Sequence, residues 1–382
     1  MGITLRDRIR GCLLGGAVGD ALGAGIEFAS WAQIRSAHGP DGVTGYVPAH
    51  GHLGAITDDT QLTAFTVEAL LRGAVRSDRG VVSFPLAVWF AYQRWLLTQD
   101  VEPVIDPPSP GNVRTSWLLD EPELRGRRAP GATCLAGLAR PTPEAPLPAA
   151  CATSKGCGTV IRSAPFGLFA LPWERAAACA GLARECSGLT HGHPTAGYAA
   201  GALAWTVRTL VDGVPLRTAV DGALGWLDDA GPDAVETADA LRGAVRSATT
   251  YGDCVPSPRE IEALGGGWVA EEALAVAVRC ALPACGEATG DDPGRREAAV
   301  RAALLAAVNH GGDSDSTGSL CGQLLGAALG DEVLPAEWVV DVEARGVLLR
   351  LADDLWYEVT RGSQLHGDYL PVTRWSARYP GY

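Results

Sequence analysis

An all-α fold is predicted from three observations on this 382-residue chain. Alanine, leucine and arginine dominate, apolar residues recur at three-to-four spacing through most segments, and β-branched residues rarely alternate with polar ones. Thr4 followed by Asp7 has the form of a capping box, which starts a first helix through Leu13, Leu14 and Val18. Further helices are expected at 59–72, 81–97, 173–187, 195–212, 216–229, 234–248, 270–281, 295–308, 316–329 and 341–357. Between them, four prolines crowd Gln99 to Pro110 and another four lie between Pro141 and Pro148. These read as loop excursions near 99–128 and 140–150 within one compact multi-helix domain spanning 1–382. A hydrophobic content of 47% suffices for a sizeable core.

Two of these segments carry glycine at every fourth residue: Gly11, Gly15, Gly19 and Gly23, then Gly318, Gly322, Gly326 and Gly330. Glycine costs about 1 kcal/mol against alanine in a helix interior, so a fourfold row implies very close packing of two backbones. If the two helices are neighbours, Asp20 and Glu27 lie near the loop that opens the second one.

Charge and cysteine usage narrow the class of protein. The net charge of −13 is spread along the chain with no lysine/arginine block, so nucleic acid is not expected as a partner. Ten cysteines lack the doubled C-x-x-C spacing of a zinc site and read as reduced core thiols. Arg6, Arg8 and Arg10 before the apolar stretch from Cys12 imitate a secretory leader, but that stretch is short, Gly-rich and interrupted by Asp20. No later run has membrane-spanning length without a charge or proline. The expectation is a cytoplasmic monomer with no membrane partner.

Chemistry concentrates in two acidic clusters. Thr57, Asp58 and Asp59 stand immediately before an amphipathic helix that uses Leu62, Phe65, Ala69 and Leu70. Thr57 or Asp58 can cap that helix. Two adjacent aspartates exceed what a cap needs, because they repel unless a cation or donor sits between them; alone, this cluster leaves cap and metal site open. The second cluster repeats the design: His310-Gly311-Gly312, then Asp313-Ser314-Asp315-Ser316, then a helix with Leu320, Leu324, Leu325 and Leu329. A calcium EF-hand loop shares the Asp-x-Asp start and a glycine at its sixth position, here Gly318, but requires an acid where Leu324 stands. What remains is four aspartates with Thr57 and Ser316, all hard oxygen donors, which suit magnesium or manganese rather than zinc.

Gly11 to Gly23, Glu27-Phe28, Thr57 to Thr60 and Gly311 to Ser316, in that order over nearly the whole chain, resemble the ADP-ribosylglycohydrolase family. Ala129 to Cys134, Ser154 to Pro165 and Leu189 to Pro194 resemble it as well. The resemblance implies a compact all-α ADP-ribosylglycohydrolase-like domain with two Mg2+ or Mn2+ ions at the base of an ADP-ribose cleft. By position it makes Thr57, Asp58, Asp59, Asp313, Asp315 and Ser316 the metal ligands, with Asp315 bridging both ions. Glu27 matches the family's mobile glutamate, and Glu27, Asp59 and Asp315 are the catalytic candidates. Ser154, Gly156, Cys157 and Gly158 would line the loop that holds the diphosphate, with His191 facing the ribose or phosphate side.

Taken without the resemblance, that loop reads as a plain turn, His191 and His193 as helix-entry histidines, and Glu27 as a surface acid. Backbone N–H groups of such a turn can approach phosphate closely, with Lys155 or Arg162 adding charge. Ser316 stands where threonine is frequent in the family, and Ala132 where asparagine is. The expected activity is metal-dependent hydrolysis of the N- or O-glycosidic bond of an ADP-ribosylated protein or small molecule, releasing ADP-ribose. Two rival readings are a non-catalytic ADP-ribose-binding member and a two-metal phosphoester hydrolase.

Overall fold

The Thr4 hydroxyl accepts from the Asp7 N–H at 3.2 Å and the Asp7 carboxylate accepts from the Thr4 N–H at 2.8 Å, so the first helix opens with the capping box the sequence predicts. The structure is a computed structural model that describes residues 2–80, 82–105, 111–169, 176–252, 254–286, 292–367 and 373–381. Its α-helices in chain order are α1 (Leu5–Gly23), α2 (Trp31–His38), α3 (Asp58–Ser77), α4 (Phe84–Thr98), α5 (Ala132–Leu138), α6 (Ala149–Ala152), α7 (Ala164–Leu168), α8 (Ala176–Ser187), α9 (Pro194–Val211), α10 (Leu216–Asp229), α11 (Val235–Tyr251), α12 (Pro258–Glu262), α13 (Ala270–Ala284), α14 (Pro293–Val308), α15 (Ser314–Leu329), α16 (Ala336–Asp341), α17 (Arg345–Arg361) and α18 (Arg374–Arg378). Among the described residues β structure is confined to two isolated bridges, Ala49 with His52 and Gly156 with Val269. The all-α expectation holds.

α1 and α15 form the centre of the molecule, and their glycine stripes face each other. A Cβ added at Gly11 would lie 2.5 Å from the Gly326 carbonyl oxygen, and Gly15 and Gly19 meet Gly322 and Gly318 in the same way. Only glycine allows two backbones this close, so the energetic cost of the rows is offset by contact along the whole length of both helices. Gly23 ends its row against Ser314 and Asp315. The stripe thereby brings the end of α1 beside the second acidic cluster. α13, α14 and α9 pack around α15, while α17 and α3 pack on α1. Apolar side chains from nearly every long helix join one hydrophobic core.

Most predicted helices fall within a few residues of those observed, with α3 running on to Ser77 and α11 to Tyr251. The expected helix 341–357 is corrected: α16 ends at Asp341, Ala344 takes a left-handed φ of 59°, and α17 starts only at Arg345. Val81 and residues 173–175, the first positions of two expected helices, lie outside the described residues, as does 106–110 of the proline-rich stretch. α2 escaped the periodicity argument because it is short. Its Ser30–Gln33 capping box was nevertheless readable: the Gln33 Oε1 accepts from the Ser30 N–H at 2.8 Å. Within the segment near 99–128, the described residues bury Leu118 and Leu124 and tie the Gly126 N–H to the Thr98 carbonyl at 2.9 Å.

Candidate active site

The two acidic clusters meet at the N-termini of α3 and α15, where unsatisfied N–H groups and the helix dipoles favour negative charge. All six expected ligands are buried there. The Ser316 hydroxyl donates to Asp59 Oδ2 at 2.9 Å, and the Ser316 N–H donates to Asp315 Oδ1 at 2.9 Å. The Thr57 hydroxyl donates to Asp315, which is also hydrogen-bonded to Asp313. Glu27 comes to the same place: one carboxylate oxygen from each of Glu27, Asp313 and Asp315 lies within 4.8 Å of the other two. The surface-acid reading of Glu27 is thereby overturned.

Burial pushes the Asp58, Asp59 and Asp313 carboxyls well above the ordinary range, and it raises Asp20 to about 7 and Glu27 to about 10. For each of these five, the charge that adds most to the effect of burial is Asp315. Asp315 thus faces all five of these acids. A group of mutually repelling carboxylates at the mouths of two helices, with hydroxyls interleaved, could hold a hard divalent cation. The cap reading survives in one detail, since the Thr57 Oγ1 also accepts from the Asp59 N–H at 3.3 Å.

Two acids outside the expected set hold this arrangement in place. Asp20, fully buried in α1, accepts from the Thr57 N–H at 3.0 Å and the Thr60 N–H at 3.2 Å. It caps α3 from a neighbouring helix and leaves Asp58 and Asp59 free to face the cluster. Glu343, just before α17, accepts from the Ile56 N–H at 3.0 Å and pairs with Arg128 at 2.8 Å and with His52 at 3.0 Å. The Arg128 carbonyl in turn accepts from the Asp58 N–H at 3.0 Å, so one carboxylate fixes both segments that flank Thr57-Asp58-Asp59. Asp20 was visible in the sequence as a charge inside an apolar helix. Glu343 had no local signal, because its partners are brought together only by the fold.

The Ser154–Gly158 loop lies against the second cluster. The Cys157 thiol donates to Asp313 Oδ2 at 2.9 Å, while its backbone N–H donates to the Trp268 carbonyl at 3.2 Å. The Ser154 hydroxyl accepts from the Gly156 N–H at 3.4 Å and bonds the Thr133 hydroxyl at 3.1 Å. His191 is buried beneath the loop: a Cβ at Gly156 would lie 3.2 Å from its Nε2, and its Nδ1 is 2.8 Å from the Thr190 hydroxyl. Burial first, and Arg162 second, pull its pKa down to about 3, which keeps the ring neutral. His193 plays the bland part, capping α9 through the Thr195 N–H at 3.3 Å.

The expected cationic assistance from Lys155 or Arg162 is corrected. Lys155 is held by Glu236 and Glu271. Arg162 is buried, donates to the Thr190 hydroxyl at 2.7 Å and stacks over Tyr92. Beside the loop, on the rim, Phe28 stacks on Trp268 with ring centroids 5.8 Å apart.

Comparison with known proteins bears on the fold and the family. A solved structure described as an "ADP-ribosylglycohydrolase-related protein complex" superposes with a TM-score of 0.60 at 26% sequence identity, covering 93% of this chain and 99% of the other. No protein of curated description matches. The family model for ADP-ribosylglycohydrolase matches residues 1–364. With that match over nearly its full length, the chain belongs to the ADP-ribosylglycohydrolase family.

Proposed function

We propose that this protein is a divalent-metal-dependent hydrolase that cleaves the glycosidic bond at the anomeric carbon of an ADP-ribosylated substrate and releases ADP-ribose. The observation that carries the reading is the buried acid cluster centred on Asp315, built on a family member of the expected fold. Thr57, Asp58, Asp59, Asp313, Asp315 and Ser316 would hold two Mg2+ or Mn2+ ions, since their oxygens are hard donors and their charges need a counter-ion. When bound, such ions supply Lewis acidity and a water of lowered pKa.

The chain's own groups divide the remaining work. Ser154, Gly156, Cys157 and Gly158 present a small-residue turn to the diphosphate, with the neutral His191 ring supporting it from below. Asp59 or Glu27 takes the proton of the attacking water; Glu27 holds its own proton until a cation neutralises the acids around it. Asp20 and Glu343 keep the ligand loop in register from outside the donor set.

A panel of ADP-ribosylated substrates differing in linkage, each run with magnesium, with manganese and with a chelator, tests the reading. Intact ADP-ribose should appear in the metal lanes alone. AMP or free phosphate as product would assign a phosphoester hydrolase instead, and tight ADP-ribose binding without release would assign a binding module.

A further inference from the structure

The Ser154–Gly158 turn is joined to the start of α13 by very little backbone pairing. The Ala270 N–H donates to the Lys155 carbonyl at 2.8 Å, the Cys157 N–H donates to the Trp268 carbonyl at 3.2 Å, and between them Gly156 forms a single bridge with Val269. A pairing this short is marginal by itself. The Lys155 ammonium adds a second attachment. It donates to Glu236 Oε2 at 2.8 Å, in the first turn of α11, and to Glu271 Oε1, in the first turn of α13. Glu236 also accepts from the Thr195 hydroxyl of α9 at 2.8 Å. One ammonium thus draws the turn onto the N-terminal ends of three helices. Glu271 is only 6% exposed and its Oε2 has no hydrogen-bond partner among the described residues, so this carboxylate takes its counter-charge from Lys155. Without the ammonium, two carboxylates would face each other beside the turn and repel.

We propose that Lys155, Glu236 and Glu271 are positioning residues: together they fix where the Ser154–Gly158 turn stands relative to the acid cluster, and through it the affinity for ligand, without touching the ligand themselves. The inference rests on the glycohydrolase reading and adds to it the residues that hold its binding turn in place. The turn has to satisfy two neighbours at once. The Cys157 thiol reaches Asp313 Oδ2 at 2.9 Å, and the His191 ring lies so close under Gly156 that an added Cβ would come within 3.2 Å of its Nε2. A small displacement of the turn is therefore felt at both contacts. Lysine suits the task, because a compact head with three donors can serve two acids from separate helices. An ammonium held by two carboxylates is already committed, so its charge acts on a bound diphosphate only through the placement of the turn.

The test uses the full chain with magnesium and reads ADP-ribose affinity by calorimetry, KM and kcat on ADP-ribosylated substrates, and manganese affinity. Lys155→Met is expected to raise Kd for ADP-ribose and KM roughly tenfold, with kcat and manganese affinity unchanged, and Lys155→Arg should keep most of the parent's affinity. Glu236→Gln, at an exposed side chain, should give a smaller loss of the same kind. The decisive variant combines Glu236→Gln with Glu271→Gln, which frees the ammonium. Positioning predicts weaker ADP-ribose binding, and no further loss when Lys155→Met is added. Tighter binding in that variant would make Lys155 a direct phosphate ligand and overturn the proposal. Parent-like binding by Lys155→Met, or a matching loss of manganese affinity, overturns it too. A parent that binds ADP-ribose but releases none from any conjugate overturns the glycohydrolase reading alone: the tether then stands if Lys155→Met binds more weakly than the parent and falls if it does not. A parent that binds no ADP-ribose overturns both.

Discussion

α3 carries two buried acidic sites with opposite solutions to the same problem. Near its middle, Glu68 is fully buried but paired with Arg72 and Arg94, both at 2.9 Å. Burial alone would raise its pKa; the two guanidinium groups outweigh that and hold it below the ordinary value. At its start, Asp58 and Asp59 are buried among other acids, and the charge that weighs most on each is Asp315. A carboxylate that serves structure brings its counter-ion within the chain. One that is left to repel its neighbours could take a counter-ion from outside.

The sharpest way to break that contrast is Asp315→Ala. Activity should fall to background with either metal while the metal-free protein melts no lower than the parent, because the change removes the charge at the centre of the repulsion. Retained turnover would sink the assignment. Glu68→Gln should do the reverse. It removes the charge that balances two buried arginines and should lower folding stability by about 3–5 kcal/mol in denaturant titration, with manganese affinity of the folded protein unchanged.

Glu343→Ala tests the scaffold between these extremes. Loosening Ile56 and Arg128 should weaken divalent binding by about 10–100-fold in calorimetric titration with manganese, and Glu343→Gln should recover part of it through the retained acceptor. A loss of melting temperature with unchanged affinity would reduce Glu343 to a purely structural tie.

The smallest effect concerns pH, and the two sites predict opposite signs. The site acids keep protons in the fold at pH values where the unfolded chain has released them, so their contribution to metal-free stability falls as pH rises from about 4 through the raised folded values, about 7 for Asp20. Glu68, with its depressed pKa, contributes stability above the ordinary glutamate value and loses it as pH falls through the folded value. Metal binding displaces the site protons. The magnesium-induced rise in melting temperature should therefore grow from pH 5 to 7.5, and an increment constant with pH would count against the acid cluster as the metal site.

The fold was legible where the pattern was long and local. The glycine rows implied close packing of two backbones, which α1 and α15 supply, and capping residues marked the start of α1. Short helices such as α5 and α7 were missed because too few turns exist for a period to show. The acidic clusters were legible in composition and ambiguous in role, since a helix cap and a metal ligand use the same residues at the same place. Burial and mutual charge bear on that choice, and they depend on residues 257 positions apart meeting in space. Lys155 and Arg162 misled for the converse reason: a cation beside a Gly-rich loop suggests phosphate, and only the fold shows Glu236, Glu271 and Thr190 already holding them.

The glycine seam between α1 and α15 also sets the timetable of the molecule's making. Its first half, from Leu5, leaves the ribosome well before its second half, from Ser314. Until then α1, buried along most of its length in the finished protein, has no partner for its bare face. The growing chain thus carries an open seam over that interval, dependent on a contact of very long sequence separation that forms slowly. The same delay keeps the acids apart: Asp58 and Asp59 have no Asp315 to meet until the last fifth of the chain arrives. The acid cluster and the helix seam therefore form together, and a chain cut short before α15 would have neither.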